Sequence, residues 1–175
     1  MTIRYALVLE DLVAFNRYHW GHSASYKRML SRAVWTGMAV IVLVLSLLFH
    51  GGGLMVSVPL AVLYRYLFYR GMRHRIDTYA RKVYTEGANR SLIGPHELTL
   101  SSDALIESNP LGGQTVALKA IEKIDVADGY AYIYFNATMA FPVPRKSVQD
   151  GNLDAFLDEL MRSWQAIGGT PSTKV

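Results

Sequence analysis

The 175 residues contain no cysteine, few charged side chains and no acidic residue between Leu12 and Ile76. Without cysteine there is no disulfide framework, no thiolate metal site and no cysteine nucleophile, which suits a domain facing a reduced compartment. Charged residues make up 18% of the chain, below the roughly 25% of ordinary soluble domains. The acid-free stretch holds eight basic residues. Residues 1–90 carry 12 Lys/Arg against 4 Asp/Glu, a net of +8, whereas residues 91–175 carry 6 against 10, a net of −4. A nucleic-acid binder would place its basic residues on the folded domain that presents them. Here they flank apolar segments, where anionic lipid headgroups would meet them, so a bilayer and not a nucleic acid is the expected partner.

Catalytic signatures are missing too. There is no GxSxG, HExxH, phosphate-loop or dinucleotide fingerprint, and Gly51-Gly52-Gly53 lacks the Lys and Ser/Thr that a phosphate loop needs. His19 and His22 are three apart and could share a helix face as metal ligands. No carboxylate or third histidine stands at ligand spacing around them, so packing or interfacial roles are expected instead. His74 falls in a basic stretch, and His96 opens a strand beside Glu97, where exposed residues are ordinary. No enzyme, metal or cofactor is expected.

What is present is two apolar runs. Ala33–Phe49 is uncharged, 17 residues long, at the short end of what crosses a hydrocarbon core of about 30 Å. His50 and the three glycines after it predict a helix break. A second run, Leu54 to about Tyr69, is interrupted only by Arg65, whose stem can snorkel to the headgroups. Pro59 needs only the local repair that membrane helices tolerate. Lys and Arg stand before the first run and after the second, with none between. That asymmetry predicts a hairpin with both termini cytoplasmic and only the glycine turn on the far side. Arg28, Arg32, Trp35, Arg65, Tyr69, Arg70 and Arg73 are the expected interface anchors. A cleaved signal peptide would begin far closer to the start. Ala33, Gly37 and Ser46 leave self-association open, although their spacing is not GxxxG.

The segments around the hairpin are patterned. Thr2–Glu10 alternates Ile3, Tyr5, Leu7 and Leu9, predicting a strand, and Asp11 onward has helical spacing. Met72–Glu86 reads as a basic amphipathic helix leaving the bilayer or packing on the downstream domain, ended near Gly87–Asn89. The expected organisation is therefore residues 1–32 as strand and helix, 33–70 as the hairpin, 71–90 as a juxtamembrane helix, 91–167 as a cytoplasmic β-domain and 168–175 as a tail.

From Gly94 short strands and tight turns follow one another. Strands are expected over His96–Ser101, Ala104–Ser108, Gln114–Leu118, Ala120–Val126 (with a short turn), Tyr130–Phe135 and Thr138–Val143. Asp128-Gly129 is a hairpin signal, and Pro142 and Pro144 confine the last strand to an edge. A closing helix carries Leu153, Phe156, Leu157, Leu160, Met161 and Trp164 on one stripe, with Asn152 as N-cap and Gly168-Gly169 as the stop. The fold class expected is an α+β membrane protein, a transmembrane hairpin plus a small antiparallel β-domain capped by a C-terminal helix, the layout of pleckstrin-homology-like domains.

Several stretches are similar to one family: Gly94-Pro-His-Glu-Leu-Thr-Leu-Ser101, Ala120-Ile-Glu-Lys-Ile124, Tyr132-Ile-Tyr134 and Ala140-Phe-Pro-Val-Pro-Arg-Lys146, together with Leu9-Glu-Asp11 and Asn16–His19. In these the chain resembles the bacterial YcxB-like proteins, small membrane proteins with a transmembrane hairpin and a C-terminal PH-like domain. Leu118 and Val148 stand where such sequences often carry an aromatic. The resemblance implies a fold and a membrane location and brings no catalytic residue with it.

Two functions are compatible with these features. In one, the protein is a membrane-tethered interaction module, a scaffold or an accessory subunit with a protein partner, recruited for instance by strand addition near Ala140–Val143. In the other it is a sensor whose PH-like domain binds an anionic lipid or small ligand through Lys119, Lys123, Arg145 and Lys146. The net −4 of the C-terminal half favours the first.

Overall fold

The computed structural model describes residues 1–49 and 53–169. The expected turn at His50–Gly53 lies largely outside the described residues, as does most of the 168–175 tail. The chain divides into two compact units, one of residues 1–15 with 81–175, the other of residues 16–80.

Among the described residues the first unit holds all eight strands: β1 (Thr2–Leu7), β2 (Gly94–Leu100), β3 (Ala104–Asn109), β4 (Gly112–Ala117), β5 (Lys123–Ala127), β6 (Tyr130–Tyr134), β7 (Ala140–Pro144) and β8 (Val148–Asp150). They form two antiparallel sheets, ordered β4-β3-β2-β1-β8 and β5-β6-β7. β1 buries Ile3, Tyr5 and Leu7 on one face, as its alternation predicts. Its place inside the larger sheet, with Ile3 opposite Leu98 and Leu7 opposite Gly94, departs from the expected separation of residues 1–32 from 91–167. Alternation reveals that a strand has a buried face and says nothing of its neighbours.

Leu9 also departs from expectation, because it opens a helix, α1 (Leu9–His22). The Asp11 carboxylate folds back to accept the Val8 backbone N–H at 3.0 Å, and Val8 C=O accepts the N–H groups of Asp11 and Leu12. This reciprocal arrangement fixes the helix start at that point.

In the smaller sheet Asp128 and Gly129 make the tight turn between β5 and β6, with φ of 54° and 80°, the paired positive values that a two-residue hairpin requires. β7, with Pro142 and Pro144, is an edge strand. The closing helix, α4 (Leu153–Ala166), buries Leu153, Phe156, Leu157, Leu160 and Trp164. Asn152 accepts the Ala155 N–H at 3.1 Å, and the buried Trp164 indole donates to Ile121 C=O at 2.9 Å. Side chains from both sheets, α4 and Leu12 of α1 form one core. The unit is thus an α+β arrangement of antiparallel sheets closed by an amphipathic helix.

The second unit contains the rest of α1, α2 (Ala24–Leu48) and most of α3 (Gly53–Thr85). α2 begins nine residues before the apolar run, because Ser23 supplies an N-cap by accepting the Tyr26 N–H at 3.3 Å. Its 25 residues are long and apolar enough to cross a membrane, with a window of mean hydropathy 1.9 that is 6% buried. α3 runs unbroken through the second apolar segment and the basic stretch after it, with Pro59 inside. The expected division at residue 70 is therefore not a break. Gly71 alone stands there, and a single helical glycine costs only about 1 kcal/mol. α3 ends at Thr85, where Gly87 takes φ of 60° and Asn89 Nδ2 donates to Val83 C=O at 3.1 Å. Within this unit Gly37 faces the Tyr64 ring so closely that a Cβ would overlap it. Gly37 is thus used within the chain.

Candidate functional site

The sheet unit gathers its buried polar groups at two places. The first centres on Asp11, which is fully buried in the first turn of α1. One carboxylate oxygen accepts the Val8 N–H; the other accepts the Tyr130 hydroxyl at 2.8 Å and lies 3.3 Å from Lys146 Nζ. Burial, then the bond to Asp11, pushes the Tyr130 hydroxyl up to about 12. Lys146 itself is mostly exposed, so the buried Asp11 carboxyl group meets one solvated cation and two neutral donors.

The second place is a pair that sequence reasoning missed. His96, expected on an exposed strand position, is buried, and its Nδ1 lies 2.5 Å from Glu107 Oε1 on the neighbouring strand. Its Nε2 is 3.2 Å from Leu92 C=O and donates there, since a carbonyl can only accept. Asn109 Nδ2 donates to the same carboxylate oxygen at 3.4 Å, and the Tyr5 ring stacks on the imidazole at 5.6 Å. Burial, then the Glu107 charge, raises the Tyr5 hydroxyl far above its usual range. The signal was parity: His96 shares its face with Leu98 and Leu100, both buried. Both side chains of the pair are under a tenth exposed, so it serves the sheet and cannot meet a substrate as it stands.

The four expected ligand-binding cations are not brought together. Arg145 is bound by both oxygens of Asp154, at 2.7 and 2.8 Å, which holds that carboxylate below its usual range. Lys146 reaches Asp11. Lys123 pairs with Asp125 at 2.6 Å and sits 4.1 Å above the Tyr134 ring. Lys119 borders a recess of 210 Å³ together with Glu122, Trp164 and Ile167. Arg145 follows the end of β7 that pairs with Tyr130, while Lys123 pairs with Tyr134 at the other end of β6. Four residue steps of strand separate those ends, about 13 Å, and three of the four cations already have an acid.

The residues expected at a membrane interface lie on the helices of the second unit: Arg28, Arg32 and Trp35 on α2, and Arg65, Tyr69, Arg70 and Arg73 on α3. Trp35 is largely exposed, and the Arg65 guanidinium lies 5.3 Å from the Tyr69 ring centre. In the same unit Arg17 clamps Asp77 through two nitrogens, at 2.7 and 3.3 Å. His22 stacks on Tyr18, its Nδ1 2.9 Å from the Tyr18 C=O.

No curated protein and no solved structure matches the chain. A family model described as YcxB-like protein matches residues 100–160, from the end of β2 into α4. The matched segment spans six of the eight strands' sequence, including the Tyr132-Ile-Tyr134 and Ala140–Lys146 motifs. Over residues 100–160 the chain is thus similar to the YcxB-like family that its sequence motifs resemble.

Proposed function

We propose that the protein is a membrane-anchored, non-catalytic interaction module, a scaffold or accessory subunit of a membrane assembly. α2 and the apolar part of α3 cross the cytoplasmic membrane as a hairpin, and the sheet unit, a PH-like domain, faces the cytoplasm with both termini. The observation that carries this reading is the bare apolar surface of the helices. Leu43, Leu47 and Leu48 on α2, Phe49 at its C-cap, and Met55, Val56, Val58, Val62 and Leu63 on α3 are all exposed. A soluble protein would bury such a patch. The orientation is supported by the absence of Lys and Arg between Arg32 and Arg65. The PH-like assignment is supported by antiparallel sheets closed by one C-terminal helix. With the four cations dispersed and mostly paired, a protein partner suits the sheet unit better than an anionic ligand.

Reporter tags at Gly52 and at each terminus, combined with carbonate extraction, test the proposal. External exposure of the turn alone, with the chain resisting carbonate, is the expected outcome. An unexposed turn and a chain released by carbonate would overturn the anchor and everything built on it. Crosslinking from the membrane-held chain would then identify the partner.

A further inference from the structure

The helical unit contains a cleft of 600 Å³ formed by the end of α1, the start of α2 and the middle of α3, within the size range of small-molecule sites. Arg17, Lys27 and Arg73 line it. Its one carboxylate, Asp77, is already clamped by Arg17. Among the described residues Lys27 and Arg73 have no carboxylate within ion-pair distance, so the cleft carries uncompensated positive charge.

Its other lining is amphipathic. Trp20 and Tyr26 pack ring to ring at 4.9 Å, and Leu30, Met72 and Ile76 add apolar surface. Among the described residues the Tyr26 hydroxyl is buried without a hydrogen-bond partner. Buried polar atoms are almost always paired, and an orphan calls for a cause. Position matters as well. Leu30 stands three residues before the uncharged run that begins at Ala33, and Tyr69, also lining the cleft, closes the second apolar segment. The cleft therefore opens where, along both helices, charged sequence gives way to apolar sequence.

We infer that this cleft is a binding site for one anionic phospholipid, its phosphodiester held by Lys27 and Arg73 and accepting a hydrogen bond from Tyr26. The Arg17–Asp77 clamp positions the wall and leaves no free acid to repel the phosphate. A phosphodiester on acyl chains satisfies all three features of the site: two unpaired cations, an orphan donor, and an apolar wall. A soluble phosphate would use only the first two. This inference rests on the membrane anchor proposed above.

The full chain in a neutral maltoside detergent, titrated with dioleoylphosphatidylglycerol or dioleoylphosphatidylcholine and read by native mass spectrometry, provides the test. One phosphatidylglycerol is expected to be retained, with a preference of about tenfold or more, as one or two charge-assisted hydrogen bonds imply. Lys27→Ala with Arg73→Ala should abolish the preference. Arg75→Ala with Lys82→Ala removes the same charge from α3 outside the cleft and should leave it intact. Tyr26→Phe removes only the orphan donor and should weaken retention several-fold, which keeps the test sharp even if the double alanine variant fails to fold. Equal retention of the two lipids, equal loss in both double variants, or displacement by millimolar inorganic phosphate would each overturn the site. So would an acidic peptide outcompeting phosphatidylglycerol. Flotation of the chain on phosphatidylcholine vesicles in high salt separates the two ideas. A chain that floats without lipid preference refutes the site alone, and one that does not float refutes the anchor.

Discussion

The Tyr130 hydroxyl donates to the Asp11 carboxylate at 2.8 Å, joining the first strand after the Asp128-Gly129 turn to the opening of α1 across 119 positions of sequence. Tyr130→Phe removes that donor from a buried acid and is expected to cost about 1–2 kcal/mol. Burial of the hydroxyl, together with this bond, also creates an alkaline limit. The folded hydroxyl is raised to about 12, against about 10 in the unfolded chain. The unfolded state therefore loses its proton first. The contribution of this group is complete below pH 10 and disappears as pH rises through 10 to 12. Thermal unfolding followed by circular dichroism across that window should show a smaller alkaline loss in Tyr130→Phe than in the parent.

His96 and Glu107 should behave as a unit. Removing one partner, as in Glu107→Ala, leaves a buried polar group without its mate and should cost about 3 kcal/mol or more. Replacing both, with His96→Leu and Glu107→Leu, should cost clearly less than the sum of the two single changes. A double-mutant cycle in urea measures the coupling, expected between about 0.5 and 3 kcal/mol. Additive effects would show the pair to be two unrelated residues.

Two glycines with positive φ separate strain from collision. Gly129, at φ of 80°, has open space where a Cβ would go, so Gly129→Ala should cost only the conformational penalty of about 1 kcal/mol. Gly151, at φ of 86°, would place its Cβ 2.7 Å from Thr2 C=O and 2.9 Å from Ile3 Cγ2. Gly151→Ala should lose at least about 1 kcal/mol more, since the β1–β8 edge must shift. Denaturation midpoints with unchanged slopes would confirm that stability alone has changed.

In the helical unit the signs should be opposite. Gly71→Ala fills open space in the interior of α3 and should raise thermal stability in detergent by about 1 kcal/mol. Gly37→Ala drives a methyl into the Tyr64 ring and should lower it.

The sequence showed some of these features and hid others for identifiable reasons. α4 was readable in full because its stripe, cap and terminal glycines are all local. The Asp128-Gly129 turn and the edge position forced by Pro142 and Pro144 were readable because each follows from the backbone limits of a single residue type. The neighbours of β1 were not, because pairing over about ninety residues leaves no local trace. β8 was too short at three residues to show alternation. The start of α2 depends on one serine cap, which a hydropathy count ignores. Of the candidate site, the charge asymmetry around the apolar runs was legible, but the partners of Arg145, Lys146 and Lys123 were not. Asp154, Asp11 and Asp125 reach them only once the strands and helices are in place. The Lys27–Arg73 cleft is likewise invisible in a sequence that puts its lining on three helices.

The pairing of Leu7 with Gly94 carries a rule of parity. The chain leaves the sheet at one point and rejoins it at the strand alongside, so whatever lies between must return to the side from which it departed. An excursion through a bilayer between those two residues can cross it twice, or not at all, but never once. A lone spanning helix would pull β1 and β2 to opposite faces and break the sheet in half.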